Sequence, residues 1–179
     1  GHAKQLPYPQ FSNFWLVPRP YDFILPACAW NEGFPRSVRC HCSEKAIMLS
    51  KAAMFQDHGS FDDMCQTDDP RRLKFLGRQV RNFDERRWKA SIETVAFEVV
   101  RQKFQSDSQL AKVLLSTGEA TLAEATSRDK VWGIGLDVDD PRVQDPAEWK
   151  GSNILGRALM RTRDALRSCG SEHSDTVAH

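Results

Sequence analysis

The 179-residue chain is 40% hydrophobic and 27% charged, with a formal net charge of +1 and a mean hydropathy of -0.53. These values describe an ordinary globular domain and exclude a disordered or fibrous class. No stretch approaches the roughly 18 to 20 consecutive apolar residues of a membrane span, and the start lacks a basic-then-apolar leader pattern, so the expectation is one intracellular domain, cytoplasmic or nuclear, without membrane contact.

Near-neutral charge removes a strong overall field as a drive towards nucleic acid. It leaves a local basic run, Arg71, Arg72, Lys74, Arg78 and Arg81, which reads first as a solvated helix face. The five cysteines, Cys28, Cys40, Cys42, Cys65 and Cys169, form an odd set without a disulfide framework. Cys40-His41-Cys42 lacks the paired spacing of a tetrahedral zinc site, and no metal is expected.

In chain order, Gly1-His2 reads as a tag remnant within an N-terminal arm over residues 1–10. Between residues 5 and 42 the prolines Pro7, Pro9, Pro18, Pro20, Pro26 and Pro35 exclude long helices and favour short strands and loops, with a turn at Asn31-Glu32-Gly33. Ser43 is a candidate cap for a first helix from Glu44 to Phe55. Asp68-Asp69-Pro70 opens a second helix, running towards Val80, and a third begins near Asp84-Glu85. From Trp88 through Ile92, Val95, Ala96, Val99 and Val100 to Phe104 the apolar residues recur at three and four, the mark of an amphipathic helix. Leu110, Val113 and Leu114 give a short helix that Thr117-Gly118 closes. Residues 119–151 read as loops, with short strands around 119–136, and a last helix starts near Ser152-Asn153. Residues 169–179 read as a disordered tail. The fold class is therefore mainly α: one bundle-like domain with minor strands near the N-terminus and around 119–136.

Glu44 and Lys51 lie seven residues apart, which at about 100° per residue puts them within roughly 20° on one helix face and about 10.5 Å apart. A carboxylate and an amine so placed can act on a substrate between them, although spacing alone describes an exposed helix face more economically. Asp129, Lys130 and Trp132 precede Gly133-Ile134-Gly135, where small residues let a ligand approach the backbone and an aromatic can stack on it; core packing is the more common reason for a tryptophan there. The glycine pair lacks the third glycine of a dinucleotide fingerprint, and neither a phosphate-binding loop nor a nucleophile elbow is present.

Taken in order, Phe11-Ser12-Asn13-Phe14, Ser43-Glu44 through Lys51, Gly77-Arg78 with Phe83 and Trp88, and Lys103-Phe104 form a set. It continues with Leu114-Leu115 and Thr117-Gly118, Leu122 with Glu124, Asp129 with Trp132-Gly133 and Gly135, and Asn153, Leu155-Gly156, Leu159-Met160 and Arg163. Spanning Phe11 to about Arg163, this set resembles the NADAR, or YbiA-like, N-glycosidases. The resemblance implies a compact, mostly helical catalytic domain over about residues 11–168 that hydrolyses a ribose C1–N bond and uses no cofactor.

Two substrate classes come with it: ADP-ribose attached to guanine in DNA or RNA, and phosphoribosylamino-pyrimidine intermediates of riboflavin synthesis. It implies Lys51 as nucleophile through a Schiff base, Glu44 as proton shuttle, and Asp129 as sugar-hydroxyl orienter or second acid. Trp88 and Trp132 would stack on or enclose base or ribose, with Gly133 beside them among the substrate-binding residues and Asn13, Arg78 and Asn153 on phosphates and polar edges. The chain departs from the family where Lys45-Ala46 replaces histidine and an aromatic, and in a longer stretch from Trp15 to Cys42. Lys45 is expected to favour an anionic substrate such as the pyrophosphate of ADP-ribose. The alternative to an enzyme is a module that binds ADP-ribose without turnover.

Overall fold

Tyr21–Ile24 (β1) and Ser37–Cys40 (β2) pair antiparallel, Tyr21 opposite Cys40 and Ile24 opposite Ser37, within the proline-punctuated N-terminal stretch. In β1 the side chains alternate between buried and exposed, as a half-buried strand requires. The computed structural model describes residues 8–172, and the side chains of residues 8–170. Most of the expected arm and tail lies outside the described residues. The described chain forms two compact bodies, residues 8–107 and residues from 108 onward.

The first body is built around Ser43–Met54 (α1). This helix packs against His58–Cys65 (α2), Pro70–Arg78 (α3), Glu85–Gln105 (α4) and β2. Ser43 is the first helical residue and not the cap; Cys42 holds the cap position without a side-chain hydrogen bond. The Asn13 carbonyl instead accepts the Glu44 N–H at 2.8 Å, supplying a partner for a donor that a helix start leaves open. Only Met48 and Lys51 of α1 are half-exposed; the other residues are buried. A helix enclosed on nearly every side is a core element, and each large apolar side chain enclosed with it, such as Ile47, Leu49 or Met54, contributes roughly 1.5–3 kcal/mol.

Caps set the starts of the next helices, since Asp57 accepts the Ser60 N–H, Asp69 that of Arg71 and Asp84 that of Arg87. Each satisfies a first-turn donor. On α4 the expected apolar face is buried, from Ile92 through Val95, Ala96, Val99 and Val100 to Phe104. The side-chain amide of Gln102 clasps β1, Oε1 accepting the Ile24 N–H at 2.8 Å and Nε2 donating to the Ile24 carbonyl at 2.9 Å. It thereby occupies polar backbone groups that an edge strand would otherwise expose.

The second body pairs Ser108–Leu115 (α5) with Ile154–Glu172 (α6). Gly118 closes α5 at φ 59°, and the buried Arg163 donates from Nη1 to Thr117 Oγ1 and the Ala120 carbonyl, both at 2.9 Å. The strands expected around 119–136 do not form: that stretch is irregular loop with short turns and bends. Its carbonyls serve α6 in place of a ladder, those of Gly133, Val131 and Trp132 accepting the N–H groups of Asn153, Ile154 and Leu155. α6 continues to Glu172, beyond the expected end of the domain at 168.

Candidate active site

Lys51 leaves the last turn of α1 where α3 crosses it. Gly77 leaves room there for Met48, whose Sδ would have to shift from a β-carbon 1.9 Å away. The Gly77 carbonyl, at the end of α3, accepts a 2.7 Å hydrogen bond from Lys51 Nζ. Phe83 lies with its ring centroid 4.4 Å from the same nitrogen, and Trp88, in the first turn of α4, lies at 6.0 Å. The amine is thus half-buried between one carbonyl and two aromatic faces. Burial lowers its pKa from the ordinary lysine value, against the opposing pull of the Glu44 carboxylate. A lysine so shifted has a larger neutral, nucleophilic fraction.

Glu44 is 6% exposed, in the first turn of α1, where a negative charge suits the helix dipole. The solvated-face reading of the Glu44 and Lys51 pair therefore fails on burial. Asn13 joins this group through its backbone at Glu44; its side-chain Oδ1 is buried and without a hydrogen-bond partner. Arg78 follows Gly77 but is exposed.

The remaining expected residues lie in the second body and share one loop. Asp129 Oδ1 accepts the N–H groups of Val131 and Trp132, both at 2.8 Å, fixing the turn that presents Trp132, which is half-buried. At Gly133 a β-carbon would fall within 3 Å of the Glu124 and Asp129 carbonyl oxygens, so glycine is needed for the loop to close. Asn153, 2% exposed and at φ 53°, donates from Nδ2 to the Leu122 carbonyl at 2.9 Å. Its Oδ1 accepts the Glu124 N–H at 3.1 Å. Both ends of its amide are committed to the loop, so its geometry is that of a scaffold.

Lys45 departs from expectation. It is 3% exposed, and its ammonium donates to Asp68 Oδ1 at 2.8 Å and to the Cys65 carbonyl at 3.3 Å. Burial works against the Asp68 charge, but the hydrogen bond and charge of Lys45, with His41 alongside, hold its pKa below the ordinary carboxylate range. A cation neutralised in this way gives no preference for an anionic substrate.

Sequence reasoning did not single out Lys103 as a buried charge. It is 1% exposed, donates to the carbonyls of Gln10 at 2.6 Å and Ser12 at 3.1 Å, and so holds the segment that leads to Asn13. Desolvation lowers its pKa to about 7, opposed by Cys42. A neutral amine keeps two N–H groups, enough for these two carbonyls. The local signal was slight: Lys103 falls on the buried stripe of α4, eight residues after Val95.

A groove of about 900 Å³ between β1 and α4, lined by Tyr21, Ile24, Pro26, Glu98 and Gln102 among others, contains none of the expected site residues.

The NADAR domain family model matches residues 2–167. Among curated relatives, N-glycosidase R617 of Acanthamoeba polyphaga mimivirus is 36% identical over 122 residues, 68% of this chain and 72% of the relative. Protein irg-1 of Caenorhabditis elegans is 33% identical over 161 residues, 87% of this chain and 74% of the relative. The solution structure of YbiA from E. coli matches with a TM-score of 0.65 at 24% identity, covering 100% of this chain and 86% of that one, a likeness in fold. With the family match running over nearly its whole length, the chain belongs to the NADAR domain family.

Proposed function

We propose that the chain is an N-glycosidase that hydrolyses a ribose C1–N bond, with ADP-ribose joined to guanine in nucleic acid as its substrate. The observation that carries this reading is the Lys51 amine, desolvated between Phe83 and Trp88 on the same helix as the buried Glu44. A module that only binds has no use for an amine tuned towards nucleophilicity. The name of the mimivirus relative, N-glycosidase, supports the same reaction class.

Cleaving a C1–N bond builds positive charge on the sugar, so an anion near C1 and a proton donor at the leaving nitrogen both lower the barrier. In the proposed course, the neutral Lys51 amine forms a bond to C1 as the C1–N bond to guanine breaks, and Glu44 protonates the leaving nitrogen. The sugar ring then opens to an imine, its ring oxygen taking the proton that Nζ releases. Water adds to the imine carbon as its proton passes to Glu44 and restores the acid, and the carbinolamine moves its hydroxyl proton to nitrogen and collapses to the aldehyde sugar and the neutral Lys51 amine.

Trp88 and Phe83 offer aromatic faces to the base or ribose. Asn13 Oδ1, buried without a partner, is assigned to a substrate N–H or O–H. The exposed Arg78 suits a phosphate. Asp129 as sugar-hydroxyl orienter and Trp132 as stacking surface rest on the motif match, while Asn153 and Gly133 are assigned to shaping their loop.

The test incubates the protein with ADP-ribosylguanosine and, separately, with a phosphoribosylamino-pyrimidine, and follows sugar release chromatographically. Release of ADP-ribose from the first supports the reading. Turnover of the second alone redirects the substrate, and tight ADP-ribose binding without turnover of either overturns the enzyme.

A further inference from the structure

Between residues 71 and 89 the chain carries eight Lys or Arg against two Asp or Glu, a net +6 within a protein of net +1. The remainder is accordingly net −5, so the near-neutral total conceals one strongly basic stretch. At about 100° per residue, Arg71, Lys74, Phe75 and Arg78 fall within roughly 100° on α3, and all four are exposed. The opposite side, Leu73, Leu76 and Gly77, is buried. Among the described residues, Arg71, Arg72, Lys74 and Arg78 have no acidic partner within ion-pair distance.

Exposed aromatics lie among these cations. Phe75 is 46% exposed with the Arg72 guanidinium 5.2 Å from its ring centroid, and Phe14 has Lys74 Nζ at 5.6 Å. Phe83, 44% exposed, continues the aromatic series to Lys51 itself. A solvated helix face explains unpaired cations but not large apolar rings left in water beside them. Cations that track phosphates, with aromatics on which bases stack, are the combination that holds single-stranded nucleic acid.

We propose that the outward face of α3, with Phe14 and Phe83, binds a single-stranded polynucleotide and leads it to the amine of Lys51. The proposal rests on the nucleic-acid reading of the substrate, and it adds the surface that holds the strand. Specificity for sequence is not part of it, since phosphate contact and stacking both tolerate any base.

The experiment measures binding of a short fluorescein-labelled single-stranded oligonucleotide by anisotropy across a salt series, for the full chain and two variants. Four neutralised phosphates predict a slope of log affinity against log salt of about −3. Arg71→Glu combined with Lys74→Glu is expected to make the slope shallower by about 1.4 and to weaken binding at least about tenfold. Phe75→Ala is expected to weaken binding about fivefold or more at unchanged slope. Hydrolysis of the mononucleoside ADP-ribosylguanosine should be the same in the parent and in the Arg71→Glu, Lys74→Glu protein. Absence of hydrolysis in the parent would sink the substrate reading while the binding series still reports on this face. Unchanged oligonucleotide affinity in both variants overturns the proposal. So does equal affinity for a duplex, or displacement by polyglutamate as effective as by unlabelled oligonucleotide, which would instead indicate an acidic protein partner.

Discussion

Lys51 Nζ and the Gly77 carbonyl are joined by a 2.7 Å hydrogen bond that ties the last turn of α1 to the end of α3. The bond fixes an otherwise flexible amine against the rings of Phe83 and Trp88. Residues that exclude water from it should therefore control its protonation.

Phe83→Ala is expected to open Lys51 to water. Because burial lowers the Lys51 pKa and the proposed reaction needs the neutral amine to attack, activity should rise as pH passes the folded pKa. Removing the ring moves that pKa back towards the ordinary value, so the ascending limb of kcat/KM shifts to higher pH. An unmoved limb would mean that another group governs it.

Gly77→Ala places a β-carbon 1.9 Å from Met48 Sδ, the far end of a flexible, half-exposed side chain that can turn aside, while alanine gains about 1 kcal/mol of helix propensity, so the net change is expected to stay within about 1 kcal/mol. Urea unfolding reads that change, and a double variant with Met48→Ala should be more stable than the two single changes predict together. Strict additivity would show that the close approach of α3 to α1 does not depend on this pair.

Much of the helical framework was legible, because its signals are local. Asp69-Pro70 and Asp84 each mark a helix start through a side chain that reaches only two or three residues along, and the apolar spacing of α4 survives folding unchanged. α2 was not anticipated: its segment is short and contains Gly59, and its cap, Asp57, is identified by contacts with Ser60 and with the Arg81 N–H 24 residues away.

The candidate pair Glu44 and Lys51 was visible as a helical spacing, but its burial was not. α1 is enclosed on nearly every side and carries no periodic stripe from which an inward face can be read. The same holds for Lys45, whose partner Asp68 lies 23 residues away. Strands expected around 119–136 gave way to irregular loop, and the carbonyls of Val131, Trp132 and Gly133 are taken by the start of α6, a demand that no local sequence pattern expresses.

Lys103 supplies a pH-dependent stability. An unfolded lysine titrates near about 10.4 and the folded one near about 7, so between those values the unfolded chain binds the extra proton. Stability gains from this group as pH rises through that window, by up to about 1.4 kcal/mol per unit. Lys103→Met should lack the gain, and its unfolding free energy, measured from pH 7 to 9, should fall progressively behind the parent. Parallel curves would contradict the neutral-amine account.

Asn153→Ala removes both hydrogen bonds that close the loop at Leu122 and Glu124 and places alanine at φ 53°. The expected loss is about 2–4 kcal/mol, read by urea unfolding. A loss of activity at unchanged stability would instead assign the residue to the substrate.

In the proposed reaction the amine of Lys51 and the carboxyl group of Glu44 together cleave a ribose C1–N bond. Its most direct measurement is release of ADP-ribose from ADP-ribosylated guanine in a single-stranded oligonucleotide by the parent, Lys51→Ala and Glu44→Gln, each shown to be folded by circular dichroism. Steady release by the parent and a loss of at least about a hundredfold in each variant are expected. Release by Lys51→Ala at the parental rate would contradict the proposed reaction.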